Sequence, residues 1–119
     1  KAKYLPRLVG MDWMASYCLT EPGSGSDAAA LRTTATRDGA DWIVSGTKQF
    51  ISGAGVNDLY LTMVRTGEEG PGGITCLAIE KDMPGVSFGA PEKKTGWHAQ
   101  PTAALILENV RVPAENIVG

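Results

Sequence analysis

The chain has a single histidine, two cysteines, an aromatic content of 7% and a net charge of only −2. One imidazole, with no cluster of ligand-type residues at metal spacing, argues against a metal centre. Cys18 and Cys76 lie in apolar, strand-like runs and match no metal motif. They read as buried, reduced thiols of a reducing compartment and not as a disulfide framework. A slightly acidic balance without a basic run makes nucleic acid an unsuitable partner. No apolar stretch approaches the roughly 20 residues of a membrane-spanning helix, and the first residues show no signal-peptide pattern. Sustained helical periodicity is missing as well.

What the chain does have is glycine (15 residues) and proline (7) set between short apolar and β-branched runs. Extended segments are expected over Trp13–Leu19, Leu31–Arg37, Trp42–Ser45, Lys48–Ser52, Leu59–Thr66 and Ile74–Glu80, then Val86–Phe88, Thr102–Leu107 and Val110–Val112. Asp38-Gly39 is a hairpin signal, Gly46 divides two strand runs, and Glu68–Gly73 is a polar loop. Short strands with Gly/Pro turns predict an all-β domain over residues 12–119, a small antiparallel β-barrel or a sandwich. Residues 1–11 differ. Tyr4, Leu5 and Leu8 between basic residues, with Pro6 and Gly10, read as the tail of a preceding α-helical domain.

One stretch stands apart, Tyr17-Cys18-Leu19-Thr20-Glu21-Pro22-Gly23-Ser24-Gly25-Ser26-Asp27. An apolar extended run breaks abruptly at Pro22, and the two glycines let the backbone pass close to a ligand. Ser24, Ser26 and Asp27 then either cap a helical turn at Ala28–Leu31 or contact a bound molecule. The spacing fits neither the dinucleotide fingerprint nor a Walker loop. Taken alone, the stretch is a tight capped turn or a nest of amides for phosphate or carbonyl oxygens.

Cys18–Asp27 followed by Ala30 resembles the signature of the acyl-CoA dehydrogenases position for position. Gly46–Ala54 is similar to the second flavin segment of that family. Pro84–Val86, Gly96-Trp97, Thr102 and Val112–Asn116 follow in the family's order, so the resemblance runs over essentially the whole chain. It implies the β-barrel middle domain of such an enzyme, with FAD as cofactor. Tyr17, Cys18, Leu19 and Thr20 would line the pyrimidine edge of the flavin through backbone groups and the Thr20 hydroxyl. Gly25 and Ser26 would approach the cofactor, with Ser26 also against the acyl-CoA substrate. Phe50, beside Ile51, would cover one flavin face, and Ser52 would donate to N5 and the adjacent carbonyl. Many members carry Trp at the place of Phe50 and Thr at the place of Ser52; an aromatic face and a hydroxyl are kept. Outside the resemblance, Phe50 reads as a core aromatic, Ser52 as a strand-end polar residue and Tyr17 as an amphipathic barrel residue.

The implied reaction is α,β-desaturation of a short, branched acyl-CoA, with isobutyryl-CoA favoured. A base removes the α-proton while the β-hydride passes to the flavin. That base is a glutamate outside this chain, so no catalytic residue is expected here. Glu21 reads as a structural strand-end residue, Asp27 as a turn cap or amide acceptor, and His98 as a surface or packing residue. An electron-transferring flavoprotein as acceptor and a homotetramer are implied for the whole protein, in the bacterial cytoplasm or the mitochondrial matrix. Two rivals stand beside this reading: an acyl-CoA oxidase or flavin monooxygenase of the same fold, and a non-catalytic scaffold barrel.

Overall fold

The structure, a computed structural model, describes all 119 residues. A short helix α1 (Leu5–Val9) precedes eight strands: β1 (Ala15–Cys18), β2 (Thr34–Asp38), β3 (Asp41–Ser52), β4 (Leu59–Arg65), β5 (Ile74–Glu80), β6 (Val86–Phe88), β7 (Thr102–Pro113) and β8 (Ile117–Val118). Single 3₁₀ turns lie at Ala28–Ala30, Pro71–Gly73 and Ala114–Asn116. The all-β expectation holds. Helix α1 buries none of its residues; the segment is fixed by Tyr4, whose hydroxyl donates to Glu80 at 2.8 Å, and by Arg7 stacked 4.5 Å over the Trp13 ring.

The strands form one mixed sheet in the order β6-β7-β3-β2-β4-β5-β8, and β1 also pairs with β4. Two pairings are parallel, β1 with β4 and the single Thr34↔Arg65 contact of β2 with β4. The expected barrel is therefore neither wholly antiparallel nor closed: the sheet ends at two short strands, β6 and β8, that do not meet. Alternation gives the inner face. Val44, Val64, Leu77, Ile79, Leu105, Leu107, Val110 and Val112 are all buried in one core cluster, each contributing about 1.5–3 kcal/mol by leaving water. Tyr60 lies wholly inside; its hydroxyl accepts the Gly55 amide and donates to the Asn57 carbonyl, and burial pushes the phenol up to about 12.

Two strands are longer than their sequence suggests. The run divided at Gly46 is one strand, β3, and the run divided after Leu107 is one strand, β7. The β3–β7 register slips between Val44 and Gly46 and again between Lys48 and Ile51. At the first slip Asn109 takes a left-handed φ of 50° and its amide donates to the Ser45 hydroxyl. Gly46 is required there by close approach, since a Cβ would come within 2.7 Å of the Thr33 Cα. The second slip is a β-bulge of Gln49 and Phe50 against Ala104, the kind of insertion that re-aims side chains.

Candidate functional site

Strand β1 alternates outward and inward, so Tyr17 is exposed while Ser16 and Cys18 are buried. After Cys18 the chain leaves β4 and turns sharply at Glu21–Ser24, closed by reciprocal amide-to-carbonyl bonds of 2.8 and 3.1 Å. The Ser24 hydroxyl donates to the Asp27 carbonyl at 2.8 Å and holds the following Gly25-Ser26 segment. Asp27 does not cap the next turn with its carboxylate; the side chain makes no cap bond. Its carbonyl, held by Ser24, performs the tethering instead.

The bulge in β3 sets the second segment. Without it, alternation would put Lys48 and Phe50 on one face and Ser52 with them. With it, Lys48 and Ile51 are buried while Phe50 and Ser52 are exposed. Phe50 reaches this face only in a left-handed conformation, φ 58°, which is costly for an aromatic residue. It is 58% exposed and Tyr17 60%, so neither ring is a core aromatic.

Four contacts, made by three residues, bring the two segments side by side. The Ser16 hydroxyl donates to the Ser52 carbonyl at 2.6 Å. The Gln49 amide, freed from the ladder by the bulge, donates to the Thr20 carbonyl at 2.8 Å. Lys48 Nζ donates to the Leu19 carbonyl at 3.1 Å and pairs with Glu21 Oε1 at 2.7 Å. Around this junction the hydroxyls of Tyr17, Thr20, Ser26 and Ser52 and the amides of Leu19 and Thr20 make no hydrogen bond within the chain, in contrast to Ser16 and Ser24. Unpaired donors beside two exposed aromatic rings form a surface suited to a planar group with several acceptors along its edge.

Two expected contacts change character. The Cys18 thiol and the Ile51 side chain are core, so only their backbone is left to meet a ligand. Burial pushes the Cys18 thiol up to about 12. Both cysteines are free, Cys18 buried and Cys76 half-buried. Glu21 is structural: its second oxygen accepts the Arg32 amide at 2.7 Å, and Oε1 accepts that of Thr33 at 3.0 Å besides Lys48. Burial alone would raise its carboxyl, but the Lys48 ammonium and these amides hold it below the usual range. His98 is exposed, with Nε2 2.7 Å from the Lys94 carbonyl, far in sequence from the junction.

Sequence reasoning misses Lys48, Gln49 and Arg65. Arg65 donates to the carbonyls of Ala29 and Leu31 on one side and of Glu68 and Gly70 on the other. It thereby straps the turn behind Ser26 to the Gly-rich loop, beside a cleft of about 440 Å³. The available signal for Lys48 is a cation inside an otherwise half-buried strand, with Glu21 as the carboxylate it would need.

Residues 16–110 match the family model of the acyl-CoA dehydrogenase middle domain. The mitochondrial isobutyryl-CoA dehydrogenase of Dictyostelium discoideum is 60% identical over the whole chain, which spans 29% of that protein. The structure of butyryl-CoA dehydrogenase from Megasphaera elsdenii superposes with a TM-score of 0.95 at 36% identity, over 98% of this chain and 31% of that one. A glutaryl-CoA dehydrogenase from Mycobacterium smegmatis, solved in complex with FADH2, gives 0.88 at 36% identity, over 98% of this chain and 29% of that one. The chain thus spans less than a third of the length of these relatives.

Proposed function

The chain belongs to the acyl-CoA dehydrogenase family, as its middle domain, and from that we propose that it holds the FAD of an enzyme desaturating a short, branched acyl-CoA, isobutyryl-CoA first. The observation that carries this reading is the junction of two segments whose donors have no partner in the chain. The Leu19 and Thr20 amides and the Thr20 hydroxyl would hold the pyrimidine edge, Phe50 would cover one face of the ring, and the Ser52 hydroxyl would donate on the N5 side. Donors fixed before the reaction stabilise negative charge as it develops, without reorganisation. Bound there, FAD supplies the acceptor for the β-hydride. Ser26, exposed at the end of the turn, borders both cofactor and thioester.

The α-proton is taken by a carboxylate outside this chain. Glu21 cannot take it, because both of its oxygens are occupied. The whole enzyme is a homotetramer that passes its electrons to an electron-transferring flavoprotein, in the bacterial cytoplasm or the mitochondrial matrix. The assignment of isobutyryl-CoA rests on the 60% identity to the Dictyostelium enzyme.

The test is the visible spectrum of the full-length protein, before and after anaerobic isobutyryl-CoA. A flavin band that bleaches is the expected result. A band that bleaches only with another acyl-CoA moves the substrate and keeps the reaction. No flavin after reconstitution with FAD overturns the reading and leaves the scaffold.

A further inference from the structure

The flavin site as described leaves one buried charge without a role. Lys48 has no exposed surface, and its ammonium is paired with Glu21, itself only 8% exposed. Buried ion pairs are seldom more stabilising than apolar residues of the same volume, because desolvation offsets the attraction. A pair retained in such a place calls for a use beyond stability.

Its geometry supplies one. Lys48 Nζ also holds the Leu19 carbonyl at 3.1 Å. The Leu19 carbonyl and the Thr20 amide belong to one planar, trans peptide and point in opposite directions; no peptide of the chain is cis. A carbonyl drawn inward to the ammonium therefore turns the Thr20 amide away from the core. That amide has no partner in the chain. Thr20's own carbonyl, in the following peptide, is held by the Gln49 amide at 2.8 Å, so residue Thr20 is fixed on both sides. Glu21 in turn is anchored on the Arg32 and Thr33 amides at 2.7 and 3.0 Å, which keeps the ammonium under the loop.

We propose that the Lys48–Glu21 pair is the positioning device of the flavin site, aiming the Thr20 amide at a carbonyl oxygen on the pyrimidine edge. The inference rests on the reading that this chain holds FAD. Lys48 touches neither cofactor nor substrate; it acts through the Leu19–Thr20 peptide. Two consequences separate it from a pair that serves stability alone. Losing the pair weakens FAD binding about tenfold, the contribution of one hydrogen bond. It also makes the bound flavin harder to reduce, because a donor to the electron-rich edge has swung away.

The experiment uses the full-length protein as wild type, as Lys48→Met, and as the double variant Lys48→Met with Glu21→Gln, which leaves no unpaired buried charge. FAD dissociation constant, flavin midpoint potential and melting temperature are measured for each. The expected result is a weaker dissociation constant and a lower potential in the double variant, whatever its melting temperature. In the wild type, exchange of the Thr20 amide slows when FAD is added. A double variant that melts lower yet binds FAD with wild-type affinity and potential overturns the positioning role, as does a Thr20 amide indifferent to FAD. Wild-type protein that takes up no FAD overturns the flavin reading itself, a separate failure.

Discussion

Glu21 is held below the usual carboxylate range although burial alone would raise it, and this has a consequence in acid. A carboxyl held below its unfolded value binds fewer protons folded than unfolded, so its contribution is present above the ordinary value of 4.5 and is lost as pH falls through the lower folded value. The unfolding midpoint of the protein is expected to drop across that window in denaturant titrations at stepped pH. Glu21→Gln flattens the acid slope and lowers stability at neutral pH by about 3–5 kcal/mol, because Lys48 is left buried without its carboxylate. A residual slope belongs to Glu80, whose partial burial is outweighed by Lys3 and Tyr4. An acid slope unchanged in the variant would place the titration elsewhere.

The bulge of β3 joins strain to position. Phe50 is left-handed and more than half exposed, so its ring contributes little to the core while its backbone costs about 1–2 kcal/mol. Phe50→Gly is expected to leave the melting temperature unchanged or raise it. On the proposed FAD reading it also raises flavin fluorescence, since that reading gives the ring its aromatic cover from Phe50. A variant that melts well below wild type would show that the ring packs against something structural. The same element marks the limit of what the sequence discloses. Ile74–Glu80 and Val86–Phe88 are legible as strands end to end, because their apolar runs are bounded by Gly and Pro turns. The order of the two motif segments, Cys18–Asp27 and Gly46–Ala54, is legible through the family resemblance. Gly46 misleads, since a glycine within a strand pattern normally marks a break, whereas here it makes room for Thr33, a neighbour distant in the chain. No local pattern announces a Phe at positive φ, and the parallel pairing of β1 with β4 depends on a register set across some forty residues. Lys48 is hidden for another reason: alternation from Val44 turns it to the buried face, where a cation is not expected without the Glu21 carboxylate.

Across the whole molecule, the two thiols sample different depths of the fold. Cys18 is wholly buried in the core cluster between β1 and its neighbours. Cys76 is half-buried on β5 and is paired only with Val118 of the two-residue strand β8 on that side. Burial raises both thiols, Cys18 to about 12, so both are weak nucleophiles in the folded chain. Timed alkylation near neutral pH should modify Cys76 first, through local release of β8, and Cys18 only through global unfolding. Equal rates would mean that the sheet opens as a single unit.

The long pairing of β3 with β7 also bears on how the protein is made. Ser52 and Thr102 are paired at the end of that ladder, yet at roughly 5–20 residues per second β3 leaves the ribosome several seconds before β7 exists to cover it. Until then the strand that carries Lys48 has only β2 beside it in the sheet, and its other edge is open. Slow codons between Val86 and Thr102 would lengthen the exposure of an open strand edge, and a chaperone that recognises such edges has its window there.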